Sequence, residues 1–196
     1  MRSTVSNCQI RRSGHTLFEL LIVVTVIGIL ASVAIPAMSS RATTGLSAAA
    51  RVMASDLRLA SDLAVQYGTQ YTLTFDIIDN QYQLTLTGPG NPPALQNPYD
   101  QGGGNIGTYV VPIGQFGGNG ATPNGVRLLG ANLKTSGQSV TNISFGSLGG
   151  TGPGRTDDTQ IWLICGPTSN PVYIRLTVTA ITGEVWIDQP TSYSVP

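Results

Sequence analysis

Arg11-Arg12-Ser13-Gly14-His15-Thr16-Leu17-Phe18-Glu19-Leu20-Leu21-Ile22-Val23-Val24 is a basic, polar leader running into an apolar segment that carries no charge from Leu20 to Ser40. Leu17 to Ile35 spans 19 residues with Glu19 as its single charge. At about 1.5 Å per residue, a helix of that length reaches roughly 28 Å, close to the thickness of a bilayer core. Arg2, Arg11 and Arg12 precede the run, and Arg41 is the first charge after Glu19. That asymmetry places the N-terminus in the cytoplasm and the rest of the chain across the membrane. A carboxylate inside such a segment is costly and marks a residue with a task and a partner.

Three kinds of segment compete. A cleaved secretory signal has an apolar region of only about 7–15 residues that ends at small residues. Ser32-Val33-Ala34 imitates such a site, but Pro36 follows closely and Glu19 is foreign to a signal. An ordinary signal anchor accounts for the length and the flanking charge but leaves Glu19 without a purpose. Glu19 also lies only two residues inside the run, where headgroup depth would leave it solvated.

The third kind accounts for every part. Gly14 followed by His-Thr-Leu-Phe-Glu, then Gly28-Ile29-Leu30-Ala31 and Ala34-Ile35-Pro36, resembles the processing region of type IV pilins and type II secretion pseudopilins. His15 stands where that family usually has Phe. The resemblance implies cleavage by a prepilin peptidase between Gly14 and His15, with N-methylation of His15. It makes Glu19 the fifth mature residue and the assembly contact, and Pro36 the site of a helix kink. Pro36 lacks the amide that would bond the carbonyl of Ser32, which gives the kink its physical cause. Cleavage would also create an amine four residues from Glu19, and neighbouring subunits would bring others to pair with it.

Removing the leader leaves 182 residues (196 less 14), enough for one core and a helix. The 24 Gly and 12 Pro imply many turns. The precursor has 10 basic and 10 acidic residues; loss of Arg2, Arg11 and Arg12 leaves 7 against 10. That balance does not suit a basic nucleic-acid-binding surface, and nucleic acid is not an expected partner. Of the two cysteines, Cys8 lies in the leader, so Cys165 stands alone in the mature chain, without an internal disulfide, and reads as a buried structural thiol after Ile161-Trp162-Leu163-Ile164.

From Ser40 to Tyr67 there is no Pro, and Ala49, Met53, Ala60, Leu63, Ala64 and Tyr67 recur at helical spacing. One helix is therefore expected from about Thr16 to Tyr67, stopped by Gly68. Its period then changes. Tyr71, Leu73, Phe75 and Ile77 alternate with polar residues, Asp79-Asn80 turns the chain, and Tyr82, Leu84 and Leu86 alternate back. A long loop is expected over residues 88–107, with further strands at 108–113, 126–129, 139–145, 160–165, 172–180 and 184–187. The expectation is an α+β chain: a long N-terminal transmembrane helix packed on a C-terminal globular domain of seven or eight antiparallel strands, the helix covering one sheet face. The expected divisions are a cleaved leader over 1–14, a transmembrane and assembly half of the helix over 15–38, an amphipathic half over 39–68 and a β-rich domain over 69–196.

Ile143-Ser144-Phe145-Gly146 and the terminal hairpin through Thr182-Gly183-Glu184-Val185 give a layout similar to GspH/FimT-type minor pseudopilins and minor pilins. That resemblance implies a non-enzymatic subunit of a type II secretion pseudopilus, or else a FimT-type minor pilin engaged in pilus assembly or DNA uptake. Its partners would be other pseudopilin or pilin subunits, the prepilin peptidase and an inner-membrane assembly platform, with the domain in the periplasm.

No catalytic, cofactor or metal site is expected. The single histidine is His15, so the domain has neither a Ser-His pair nor a zinc set. Gly149-Gly150-Thr151-Gly152-Pro153-Gly154 lacks the Lys-Ser/Thr of a phosphate loop. Asp157-Asp158 and the group Asp76, Asp79, Asn80 and Asp100 lack EF-hand spacing and read as solvated turn carboxylates, with calcium the weaker reading.

Overall fold

The computed structural model describes residues 17–99, 109–116, 125–152 and 154–192; over 31–42 only the helical backbone is described. The chain divides into two compact units, through Ser39 and from Ser40 onward. Helix α1 runs Leu17–Tyr67 and is assigned without a break through Pro36. It closes as the sequence requires. Gly68 takes a φ of 59°, its amide bonds the Val65 carbonyl, and the Thr69 amide bonds the Ala64 carbonyl. This is the paired 6→1 and 5→2 pattern of a Schellman stop, in which glycine accepts the left-handed backbone without Cβ strain.

Nine strands follow among the described residues, all paired antiparallel: β1 Tyr71–Asp76, β2 Gln81–Leu86, β3 Tyr109–Pro112, β4 Arg127–Leu133, β5 Ser139–Val140, β6 Asn142–Phe145, β7 Thr159–Cys165, β8 Val172–Val178 and β9 Val185–Ile187. They make a four-stranded sheet in the order β3-β2-β1-β6 and a five-stranded sheet in the order β5-β4-β7-β8-β9. The architecture is the expected α+β pattern, with four corrections.

The run expected as one strand over 139–145 is two strands in different sheets. Thr141 lies between them, and its carbonyl accepts the Phe75 amide. A chain that switches sheets at a corner buries one end of the run in each layer, which alternation alone does not reveal. Ile77 is not in β1: it belongs to the turn, where Asp76 Oδ1 accepts the amides of Ile78 and Asp79 and ends the ladder. β4 begins at Arg127 and continues to Leu133, past the expected end at 129, because a bulge between Leu128 and Gly130 resets its register.

The fourth correction concerns the helix. Leu46, Ala49, Ala50, Met53, Ala54, Leu57, Ala60 and Ala64 are buried in one core with residues of both sheets, rather than beneath one. The alanines let the helix approach closely. The Arg58 guanidinium donates to the Val185 carbonyl at 2.8 Å in the five-stranded sheet, and the Ser61 hydroxyl donates to Gly149 at 3.0 Å. Tyr67, expected on the buried face, is 40% exposed, since the core ends at Ala64. Asn80, at φ 52°, joins the sheets: its side chain donates to the Val126 carbonyl and accepts the Leu128 amide.

Candidate functional site

In the first unit, the described apolar side chains from Leu17 to Leu30 are exposed all round the helix. A helix apolar on every face is one that expects lipid or other helices as its surroundings. Glu19 lies in the first turn of α1. A carboxylate there complements the positive end of the helix dipole, so the position suits a charge. The Thr25 hydroxyl returns to the Ile22 carbonyl at 2.8 Å, which satisfies it inside the helix. Gly28 has nothing within 4 Å of where a Cβ would stand, leaving a smooth spot for close helix approach. Gly14 and His15 lie outside the described residues, as do the side chain of Pro36 and the carboxylate Asp100. The expected span runs to Ile35, but its described side chains stop at Leu30; among the described residues no helix is long and apolar enough to cross a membrane.

The domain contains a polar cluster that the hydrophobic pattern does not announce. Asp56 is buried on the inner face of α1, where Tyr82 Oη donates to Oδ2 at 2.5 Å and Tyr109 Oη donates to Oδ1 at 2.8 Å. Burial raises the Asp56 pKa from its usual value, and the two tyrosine bonds oppose that rise. Burial, then the neighbouring carboxylate, pushes both phenols up in turn, so they stay protonated donors. The cluster fastens the helix to β2 and β3. The available signal was its spacing: Asp56 follows Met53 by three residues and Ala49 by seven, on the apolar face, and both tyrosines occupy inward strand positions.

Because the folded pKa of Asp56 lies above the unfolded value, the folded state holds this proton more tightly. Between those two pKa values, stability attributable to Asp56 falls as pH rises, and above the folded pKa the cost of the charge is fully present. Asp56→Asn is therefore expected to flatten that part of the stability–pH curve and to cost less than about 1 kcal/mol at pH 7. Asp56→Leu removes the acceptors of two buried hydroxyls and is expected to cost about 2 kcal/mol or more. Denaturant titrations of the three proteins between pH 4 and 7 check this; an Asn variant as unstable as the Leu variant would contradict it.

Asp157 and Asp158 are engaged in turns. Asp157 accepts the amides of Thr135 and Ser136, and Asp158 accepts the Ala180 amide and pairs with Lys134 at 3.3 Å. No group of three metal-ligating side chains occurs among the described residues. Cys165 is free and fully buried, and burial raises its pKa, as befits a structural thiol. Of the four cations beyond the helix, Lys134 pairs with Asp158, and Arg175 pairs with Asp188 while stacking 5.4 Å over the Trp162 ring.

Residues 10–35 match the family model described as the prokaryotic N-terminal methylation motif. No curated protein matches the chain. Two crystal structures of the type IV minor pilin FimU from Pseudomonas aeruginosa (strain PAO1), in space groups P21 and P65, are similar at 14% identity over 74% of this chain. They are covered over 88% and 93% of their length, with TM-scores of 0.43 and 0.42.

Proposed function

We propose that this type IV pilin-like chain is a minor pseudopilin of a type II secretion pseudopilus, made as a precursor, cut between Gly14 and His15 by a prepilin peptidase and methylated at His15. The observation that carries the reading is the methylation motif over residues 10–35, which contains Gly14, Glu19 and most of the exposed apolar helix in one segment. Held in the inner membrane by Leu17–Ile35, the subunit enters a helical, head-to-tail assembly through that helix, with its domain in the periplasm. Glu19 supplies the register. A carboxylate drawn into an apolar bundle needs a cation, and the N-terminal amine of an adjacent subunit is one that methylation leaves charged. Pro36, lacking an amide, lets the helix bend where its lipid-facing half ends.

The same segment would serve a type IV pilus subunit, the second reading. A DNA-capturing variant of that reading is disfavoured by the domain's cations, two of whose four are spent on Asp158 and Asp188. The deciding experiment isolates the full chain from cells with and without the peptidase and asks which major subunit it accompanies. Co-purification with the secretion pseudopilin, dependent on the peptidase, is expected. Recovery with neither kind of fibre would overturn the proposal, and recovery with surface pili would transfer it to the second reading.

A further inference from the structure

The outer faces of the two sheets differ in chemistry. On the four-stranded sheet the outward hydroxyls satisfy one another, Thr72 bonding both Thr87 and Ser144. On the five-stranded sheet the inward positions of β7, β8 and β9 are buried, so the alternate residues face outward. Register arranges them in two rows across the strands. One row is Asp188, Arg175 and Trp162; the other is Trp186, Thr177, Gln160 and Asn132.

The first row is a locked polar ledge. Arg175 Nε and Nη2 both donate to Asp188 Oδ2, at 2.6 and 2.5 Å, and the guanidinium lies 5.4 Å over the Trp162 ring. Trp162 Nε1 in turn donates to Asn132 Oδ1 at 3.0 Å. Because two nitrogens share one carboxylate oxygen, Asp188 Oδ1 and Arg175 Nη1 have no partner among the described residues. An acceptor and a donor are thus left on a pair whose charges cancel. The second row begins with Trp186, which is 59% exposed. Beside it, the Thr177 hydroxyl and the Gln160 amide are also without side-chain partners among the described residues.

We infer that this face binds an extended neutral glycan, with one pyranose on the Trp186 ring and the chain running across the strands along Thr177, Gln160 and Asn132. A pyranose has an apolar C–H face that suits a rigid aromatic ring, and hydroxyls that both donate and accept. Two adjacent hydroxyls of the stacked unit match the acceptor and the donor left on Asp188 and Arg175. Neighbouring strands lie about 4.8 Å apart, close to the length of one pyranose unit, so successive units meet successive strands. Nucleic acid fits poorly, because the cation beside Trp186 is already neutralised and a phosphate would face the free Asp188 oxygen. A protein partner fits poorly too. An aromatic hot spot sits in a desolvated, well-packed pocket, whereas the row neighbours of Trp186 are Thr177 and Gln160.

The test incubates the full chain, in a detergent without a sugar headgroup, with cellulose, chitin and starch. Gelatin and an immobilised thymidine oligonucleotide serve as competing probes. Retention on at least one polysaccharide, displaced by the matching soluble hexasaccharide, is expected. Trp186→Ala is expected to weaken that binding at least about tenfold, equivalent to about 1.4 kcal/mol, while Trp186→Tyr keeps a ring and most of the binding. Thermal unfolding checks that both variants remain folded. Leu148→Asp, at an exposed apolar site away from this face, is expected to bind as the parent does. No retention on any of the three polysaccharides, retention unchanged in Trp186→Ala, or an equal loss in Leu148→Asp would overturn the inference. Trp186-dependent retention on gelatin or the oligonucleotide alone would overturn it as well.

Discussion

Glu19→Ala is expected to be made, inserted and processed normally, yet to be recovered from fibres at least about tenfold less than the parent. Breaking one partner of a desolvated ion pair costs about 3–5 kcal/mol, because the other charge is left stranded. Here the stranded group would be the N-terminal amine of a neighbour, and each subunit of the assembly would suffer the loss. Even a third of that cost corresponds to about a tenfold change in an equilibrium. Glu19→Gln separates charge from shape. It keeps the length and hydrogen-bonding capacity but cannot neutralise an amine, so it is expected to follow alanine. Quantifying the chain in membrane and fibre fractions reads the effect; normal fibre recovery of either variant would show that Glu19 does no more than complement the first turn of α1, where it is found.

The second large effect is structural. A Cβ on Gly183 would stand 2.1 Å from the Gly149 carbonyl oxygen, at a φ of +68°. Both the clash and the left-handed backbone penalise alanine there. Gly137 provides the control, with a φ of +67° and nothing within 4 Å. Gly137→Ala should pay the conformational term alone, about 1 kcal/mol, whereas Gly183→Ala adds an overpacking cost of about 1–3 kcal/mol. In a chain of this size the added cost corresponds to a further fall in Tm of very roughly 2–12 °C. Thermal unfolding of the full chain in detergent checks it. Equal shifts for the two variants would mean that the 149 and 183 turns separate at no cost.

Local patterns carried most of the fold. The helix end at Tyr67, the Asp79-Asn80 turn and the alternation of Tyr71, Leu73 and Phe75 each depend on a few adjacent residues, and each is found where the sequence puts it. What local patterns do not contain is sheet membership. Nothing in Ser139–Phe145 states that its halves belong to different layers, and nothing in the helix states that it serves both sheets; these are set by long-range packing. The Asp56 cluster was obscured for a related reason. A carboxylate on an apolar face reads as an error until the two tyrosines that satisfy it, 26 and 53 residues away, are folded onto it. The functional segment is the reverse case. Gly14, Glu19 and Pro36 are legible because the processing and membrane insertion proposed for them would act on a linear stretch, with no tertiary structure needed to bring those residues together.

On the proposed reading the leader is temporary, and the mature chain begins at the residue which places an amine four positions from Glu19. Mass spectrometry of the N-terminal peptide, taken from chains recovered in the fibre fraction, tests this most directly. The expected peptide begins at His15 and carries one added methyl group on its amine. A peptide beginning at Met1, or one beginning after the Ser32-Val33-Ala34 stretch, would contradict it.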